Sequence, residues 1–129
     1  MGRLAAYAAK QALLGNPVTI VNCSKVIISG NPKTIIADFK KRLEIGTPKW
    51  GPFYPKTPAG IMRRACRGML PWKKQRGKEA YHKIKCHGGL PKELADKEIT
   101  KLETKLIKNV DWITLGDLCN RIGKQKGAK

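Results

Sequence analysis

Residues 57–78 read TPAGIMRRACRGMLPWKKQRGK and hold seven cations, Arg63, Arg64, Arg67, Lys73, Lys74, Arg76 and Lys78, with no acid among them. Thr57 followed by Pro58 predicts a helix start, because a threonine oxygen can accept from free N–H groups and proline suits the first helical position. Gly68 fits the stop. On the helix between them Arg63 and Arg67 are one turn apart with Arg64 beside them, while Ile61, Met62, Ala65 and Met69 form an apolar flank. One side is expected to pack and the other to reach outward. Pro71 blocks continuation, and Trp72, Lys73 and Lys74 follow as an aromatic and cationic turn. Guanidinium forks that match phosphate, lysine point charges and a ring able to stack are the chemistry of a nucleic-acid surface.

Immediately upstream, residues 46–58 (GTPKWGPFYPKTP) carry four prolines, which excludes a helix or a central strand. The segment reads as an extended arm in which Lys49, Trp50, Phe53, Tyr54 and Lys56 interleave charge with rings. Either its aromatics tuck onto the core or they grip single-stranded RNA. Before it, Asn31 and Pro32 open a helix whose buried stripe is Ile35, Ile36, Phe39 and Leu43, with Lys33, Lys40, Lys41 and Arg42 off the stripe. The run around Gly30 and Lys33-Thr34 is not a phosphate loop, because Pro32 and Ile27 stand where that pattern requires glycine. Residues 18–23 (VTIVNC) are expected as a strand buried on both faces, with residues 26–29 continuing extended. The alanine-rich stretch from Gly2 to Leu14 reads as a helix ended by Gly15-Asn16-Pro17, and Arg3 near its start is placed to touch phosphate.

Downstream, residues 79–83 complete a short helix and Ile84-Lys85-Cys86 reads as a strand. Residues 92–108 predict a peripheral helix with Ile99, Leu102, Leu106 and Ile107 as a narrow stripe, and residues 110–113 a last strand. Thr114 and Asp117 are spaced as a capping box for a final helix through Ile122. The basic tail 123–129 has no pattern of its own. Helices alternating with strands predict one α/β domain spanning 1–129, a three-layer α/β/α arrangement with a short, mainly parallel sheet plus the arm and tail.

Charge narrows the class. Residues 1–78 carry a net +14 and residues 79–129 a net +4, so most of the total of +18 lies in the first part. Such an excess opposes a compact fold unless a polyanion neutralises it. A membrane surface fits poorly, because the apolar runs are short and no basic helix has a broad apolar face. No secretory signal is visible in residues 1–14, so the cytosol is the compartment expected by default. Cys23, Cys66, Cys86 and Cys119 form no Cys-x-x-Cys pair, so reduced thiols are expected in place of disulfides or a metal. His82 and His87 have no nucleophile or orienting carboxylate spaced to serve them, and none of the nine acids lies in the basic stretch. Enzymatic chemistry and a cofactor are therefore not expected. A free-standing RNA-binding regulator is the alternative to a permanent ribonucleoprotein component, but it would need base-edge readers on a recognition helix, and none is evident.

Several segments in order, GRLA at 2–5, VNCSKVIISGN at 21–31, Gly51-Pro52, RRACRGMLPWKKQRGKEA at 63–80 and ITLG at 113–116, resemble the large-subunit ribosomal protein family L-thirteen in its archaeal and eukaryotic form. The resemblance implies a structural constituent of the cytoplasmic ribosome, with large-subunit ribosomal RNA and neighbouring ribosomal proteins as partners. It implies no catalysis, no cofactor and no small-molecule substrate. Carried onto this chain, it makes Arg63, Arg64, Arg67, Lys73, Lys74 and Arg76 the main RNA contacts. Arg3, Lys49, Trp50, Lys56, Trp72 and Lys78 join them from the residue chemistry above. Family members usually have a strand before the Gly-Arg-Leu-Ala motif, whereas Met1 directly precedes it here. Either the start lies upstream, or the sheet has an edge left for a neighbour to cover. Residues 92–109 match the family poorly.

Overall fold

Capping chemistry sets most of the helix starts in the computed structural model, which describes residues 1–102 and 110–123. Helix α1 (Gly2–Leu13) is followed by strand β1 (Val18–Ile20), a 3-10 turn (Cys23–Lys25), strand β2 (Ile27–Ser29) and helix α2 (Pro32–Glu44). Then come helices α3 (Pro58–Gly68) and α4 (Gln75–His82), strand β3 (Ile84–Cys86), a second 3-10 turn (Lys92–Leu94), strand β4 (Trp112–Thr114) and helix α5 (Leu115–Gly123). At α2 the Asn31 side chain accepts from the Lys33 amide at 3.0 Å. At α5 the Thr114 hydroxyl accepts from the Asp117 amide at 3.2 Å, the first half of the predicted box, but the shorter Asp117 carboxylate accepts from the Thr114 hydroxyl at 2.9 Å in place of the Thr114 backbone N–H that a full box would use.

The class is α/β, as the alternation of elements leads one to expect. Parallel pairing is confined to β1 and β3, with Val18 opposite Ile84 and Ile20 opposite Cys86. The second ladder, β2 with β4, is antiparallel and sets Ile27 opposite Thr114 and Ser29 opposite Trp112. Among the described residues the two ladders are not hydrogen-bonded to each other. A cavity of about 1040 Å³ is lined by residues of α1, by Val18 to Ile20 of β1, by Ile27 of β2, by Trp112 of β4 and by residues 97–102. The Met1 amine donates to the Ile27 carbonyl at 2.6 Å and so ties the start of α1 to β2.

Three local expectations are corrected. The strand expected over 18–23 stops at Ile20, because Asn22 takes a left-handed conformation (φ 55°) and turns the chain into the 3-10 segment. Thr19 is exposed, so β1 is not buried on both faces. The helix expected over 92–108 does not form in its described part: only the 3-10 turn Lys92–Leu94 is helical, and Ile99 is 47% exposed. A helix that buries so little apolar surface does not recover its nucleation cost. Residues 103–109, which complete that expected helix, and the tail beyond Gly123 lie outside the described residues.

The core is assembled on α1. Ala5, Ala8, Ala9 and Ala12, spaced three and four apart, form its buried face, and their small size lets α3 and α4 come close. Ile61, Met62 and Cys66 fill the space from α3, Ile84 from β3, and Leu115, Leu118 and Ile122 from α5. Met69, expected on the apolar flank of α3, is instead 45% exposed. It is the C-cap of that helix, so the helical periodicity that places Ile61, Met62 and Cys66 inward ends before it.

All four cysteines are free thiols. The side-chain hydrogen bond between Cys86 and Cys23, with burial added, raises the Cys86 thiol, while the same bond lowers that of Cys23 against the opposing effect of burial. Burial pushes Cys66 and Cys119 up to about 11. In the folded chain at pH 8 these two thiols should react with a thiol reagent roughly a hundredfold more slowly than in urea, since only the thiolate attacks. Rapid titration of Cys66 in the native protein would contradict its burial. Because the folded state holds these protons more tightly than the unfolded one, their contribution is complete below about pH 9 and is lost as pH rises towards 11.

Candidate nucleic-acid interface

Helix α3 starts where the sequence places it: the Thr57 hydroxyl accepts from the Gly60 amide at 3.2 Å and Pro58 occupies the first turn. Gly60 is there for contact. A Cβ on it would sit 2.8 Å from the Pro55 Cβ and 2.9 Å from the Thr57 Oγ, so the end of the arm lies pressed on the first turn of α3. From this seat the helix buries Ile61, Met62 and Cys66 and turns Arg63 and Arg64 to solvent.

Two of the three arginines are held by rings. The Arg63 guanidinium lies 4.6 Å from the centroid of Tyr81 on α4, and that of Arg67 lies 4.3 Å from the centroid of Trp72. Trp72 and Tyr81 meet edge to face at 4.9 Å, which joins the four side chains into one row. Each stacked guanidinium gains roughly 0.5–1 kcal/mol at such sites and keeps its N–H edges free to donate. Arg67 and Trp72 are half-buried, so both serve the packing between α3 and α4 as well as the surface. Arg64, Lys73, Lys74, Arg76 and Lys78 are exposed around this row.

The arm has a fixed root and a projecting tip. Tyr54 packs edge-on against buried Phe39 at 5.9 Å, and Arg42 lies over both rings, 5.0 Å from Phe39 and 5.9 Å from Tyr54. Beyond that anchor, Thr47 and Gly51 bond through their backbones at 2.9 and 3.3 Å, and the Thr47 hydroxyl accepts from the Trp50 amide. Trp50 at the tip is 82% exposed with the Lys49 ammonium over its ring, and Phe53 is 77% exposed. Of the arm's aromatics, then, only Tyr54 tucks back onto the core. Lys56 is exposed beside α3, and Arg3 is exposed on α1, whose neighbours are α3, α4, β1 and β3.

Arg42 and Tyr81 line this surface although neither was among the sequence-predicted contacts, and Tyr54, weighed there as one of the arm's rings, is held between them and the core. The signal for Arg42 was present, since it stands three residues after Phe39 on one helix, the spacing at which side chains meet. Nothing local marks Tyr81 as the partner of Arg63. Among the described residues, no cluster of acids, histidines and cysteines is arranged to hold a metal ion, and no helix is long and apolar enough to cross a membrane.

Most of the chain is similar to known proteins. The profile of the family described as Ribosomal protein L13 matches residues 1–93. The large ribosomal subunit protein uL13 of Thermoplasma volcanium is 48% identical over 123 residues, covering 95% of this chain and 90% of the relative. The protein of the same name from Methanosphaera stadtmanae is 41% identical over 133 residues, covering 100% and 92%. That of Haloarcula marismortui is 38% identical over 126 residues, covering 98% and 86%. A match over most of the chain, on a fold that turns its cations outward and has its core filled by apolar side chains, leads to one conclusion: the chain belongs to the ribosomal protein L13 family, as a structural protein of the cytoplasmic ribosome and not an enzyme.

Proposed function

We propose that this chain is a component of the large ribosomal subunit that binds the subunit's ribosomal RNA, lies against neighbouring ribosomal proteins and supports assembly of the particle. One observation carries the reading. Arg64, Lys73, Lys74, Arg76 and Lys78 are all exposed along α3, the Trp72 turn and α4, in a stretch without a single acid. Unneutralised, that surface repels itself; against phosphates each contact releases condensed counterions. Arg3, Lys49 and Lys56 extend the contact, while Trp50 and Trp72 supply rings. Arg63 and Arg67, already held over Tyr81 and Trp72, donate to phosphate with little further loss of side-chain freedom.

Binding of the purified chain to a large-subunit RNA fragment should therefore weaken steeply with salt. Six phosphate contacts correspond to a loss of roughly 4–5 log units in affinity per tenfold rise in KCl. Filter binding across a salt series measures the slope, and an affinity indifferent to salt would overturn the proposal.

A further inference from the structure

Where the root of the arm, the last turn of α2 and the outer sides of α3 and α4 meet, a pocket of about 570 Å³ opens to solvent. Its walls carry three guanidiniums, Arg42, Arg63 and Arg64, and three rings, Phe53, Tyr54 and Tyr81, and among the described residues no carboxylate lines it. The volume falls within the roughly 300–1,000 Å³ of small-ligand sites. Two of the guanidiniums are already in place: Arg42 lies over Phe39 and Tyr54, and Arg63 over Tyr81. Among the described residues none of the three is paired with an acid. Phe53 stands 77% exposed at the rim.

An occupant must bring negative charge for the guanidiniums and a flat apolar face for the rings. An acidic peptide supplies only the first. A paired RNA strand likewise offers phosphates while its bases stay stacked inside the helix. We propose that this pocket takes one unpaired RNA nucleotide, its base stacked on Phe53 and its phosphate held by Arg63 and Arg64. The assignment rests on the RNA-binding reading above and adds to it a preference for a bulged or looped-out residue. Stacking suits this role because every base presents a π face, so the site selects the unpaired state and not a base identity.

Two RNA hairpins that differ only by a single bulged 2-aminopurine test this with the full-length chain. The bulged hairpin should bind about tenfold more tightly, within the range of one base–aromatic stack, and the 2-aminopurine fluorescence should be quenched on binding. Phe53→Ala should abolish both the preference and the quenching while leaving affinity for the paired hairpin and its salt slope unchanged, and Phe53→Trp should restore them. At 77% exposure Phe53 contributes little to the core, and unchanged thermal melts of both variants will verify that. Equal, salt-dependent binding of both hairpins without quenching would overturn the pocket assignment and leave the ribosomal RNA reading standing. Failure to bind either hairpin would overturn both. Displacement of the bulged hairpin by polyglutamate as readily as by unlabelled bulged RNA would assign the pocket to an acidic protein partner instead.

Discussion

Alanine at position 77 is expected to lower the stability of the fold by about 3 kcal/mol, read as a fall in the urea midpoint, the upper end of the usual cost of overpacking. Gly77 is buried in the first turn of α4, and a methyl group there would run into the carbonyl carbon and oxygen of Pro71. Those atoms are backbone. They are fixed by the Lys74 amide, which donates to the Pro71 carbonyl at 2.9 Å, and by the Gly77 amide, which donates to the Lys74 carbonyl at 3.1 Å. Room for the methyl can come only from lifting α4, and lifting α4 parts Tyr81 from both Trp72 and Arg63. The same substitution at Gly68 on α3 meets open space and should instead stabilise by up to about 1 kcal/mol through helix propensity. If Gly77→Ala melts like the parent, the close approach of α4 to the Pro71 turn is wrong.

Replacing Arg64, Lys73, Lys74 and Arg76 together by glutamine should weaken RNA binding about a thousandfold near 0.1 M salt and flatten the salt slope by roughly three log units, at 0.7–0.9 per lost contact. All four side chains are exposed, and among the described residues none is stacked on a ring. Their removal lowers the net charge from +18 to +14, so self-repulsion falls and the thermal midpoint should stay level or rise. Affinity and stability thus separate. Arg67→Gln provides the contrast, because Arg67 is half-buried over Trp72 and its loss should reduce both together. A quadruple variant that unfolds would show these cations to be structural, and one that binds RNA normally would remove them from the interface.

Much of this surface was legible residue by residue. The start of α3 at Thr57 and Pro58, the Asn31 cap and the Thr114 cap on the Asp117 amide are hydrogen bonds across two or three residues, and each forms as its sequence demands. The outward face of Arg63 and Arg64 followed from helical spacing alone. Reading failed where the deciding partner is distant or the period stops. The strand at Val18 ended early because Asn22 turns the chain so that the Cys23 amide reaches the carbonyl of His87 at 3.1 Å, a pairing that no local pattern announces. Residues 92–102 carry apolar side chains at helical intervals, but the stripe is narrow and Ile99 stays 47% exposed, so too little is buried to recover the cost of starting a helix.

Composition and local spacing were enough to establish an excess of +18, its concentration in residues 1–78, and helix α3 as a cationic ledge over an apolar underside. Charge is a sum over residues and caps are short-range, so neither waits for the fold. Close packing of α1 through its alanines, by contrast, brings α3 and α4 together and carries Tyr81 beneath Arg63, eighteen positions away in the chain, while Tyr54 and Arg42 close the pocket from the other side. Stacking and enclosure need surfaces from separate elements to meet, and only the assembled core sets where they meet.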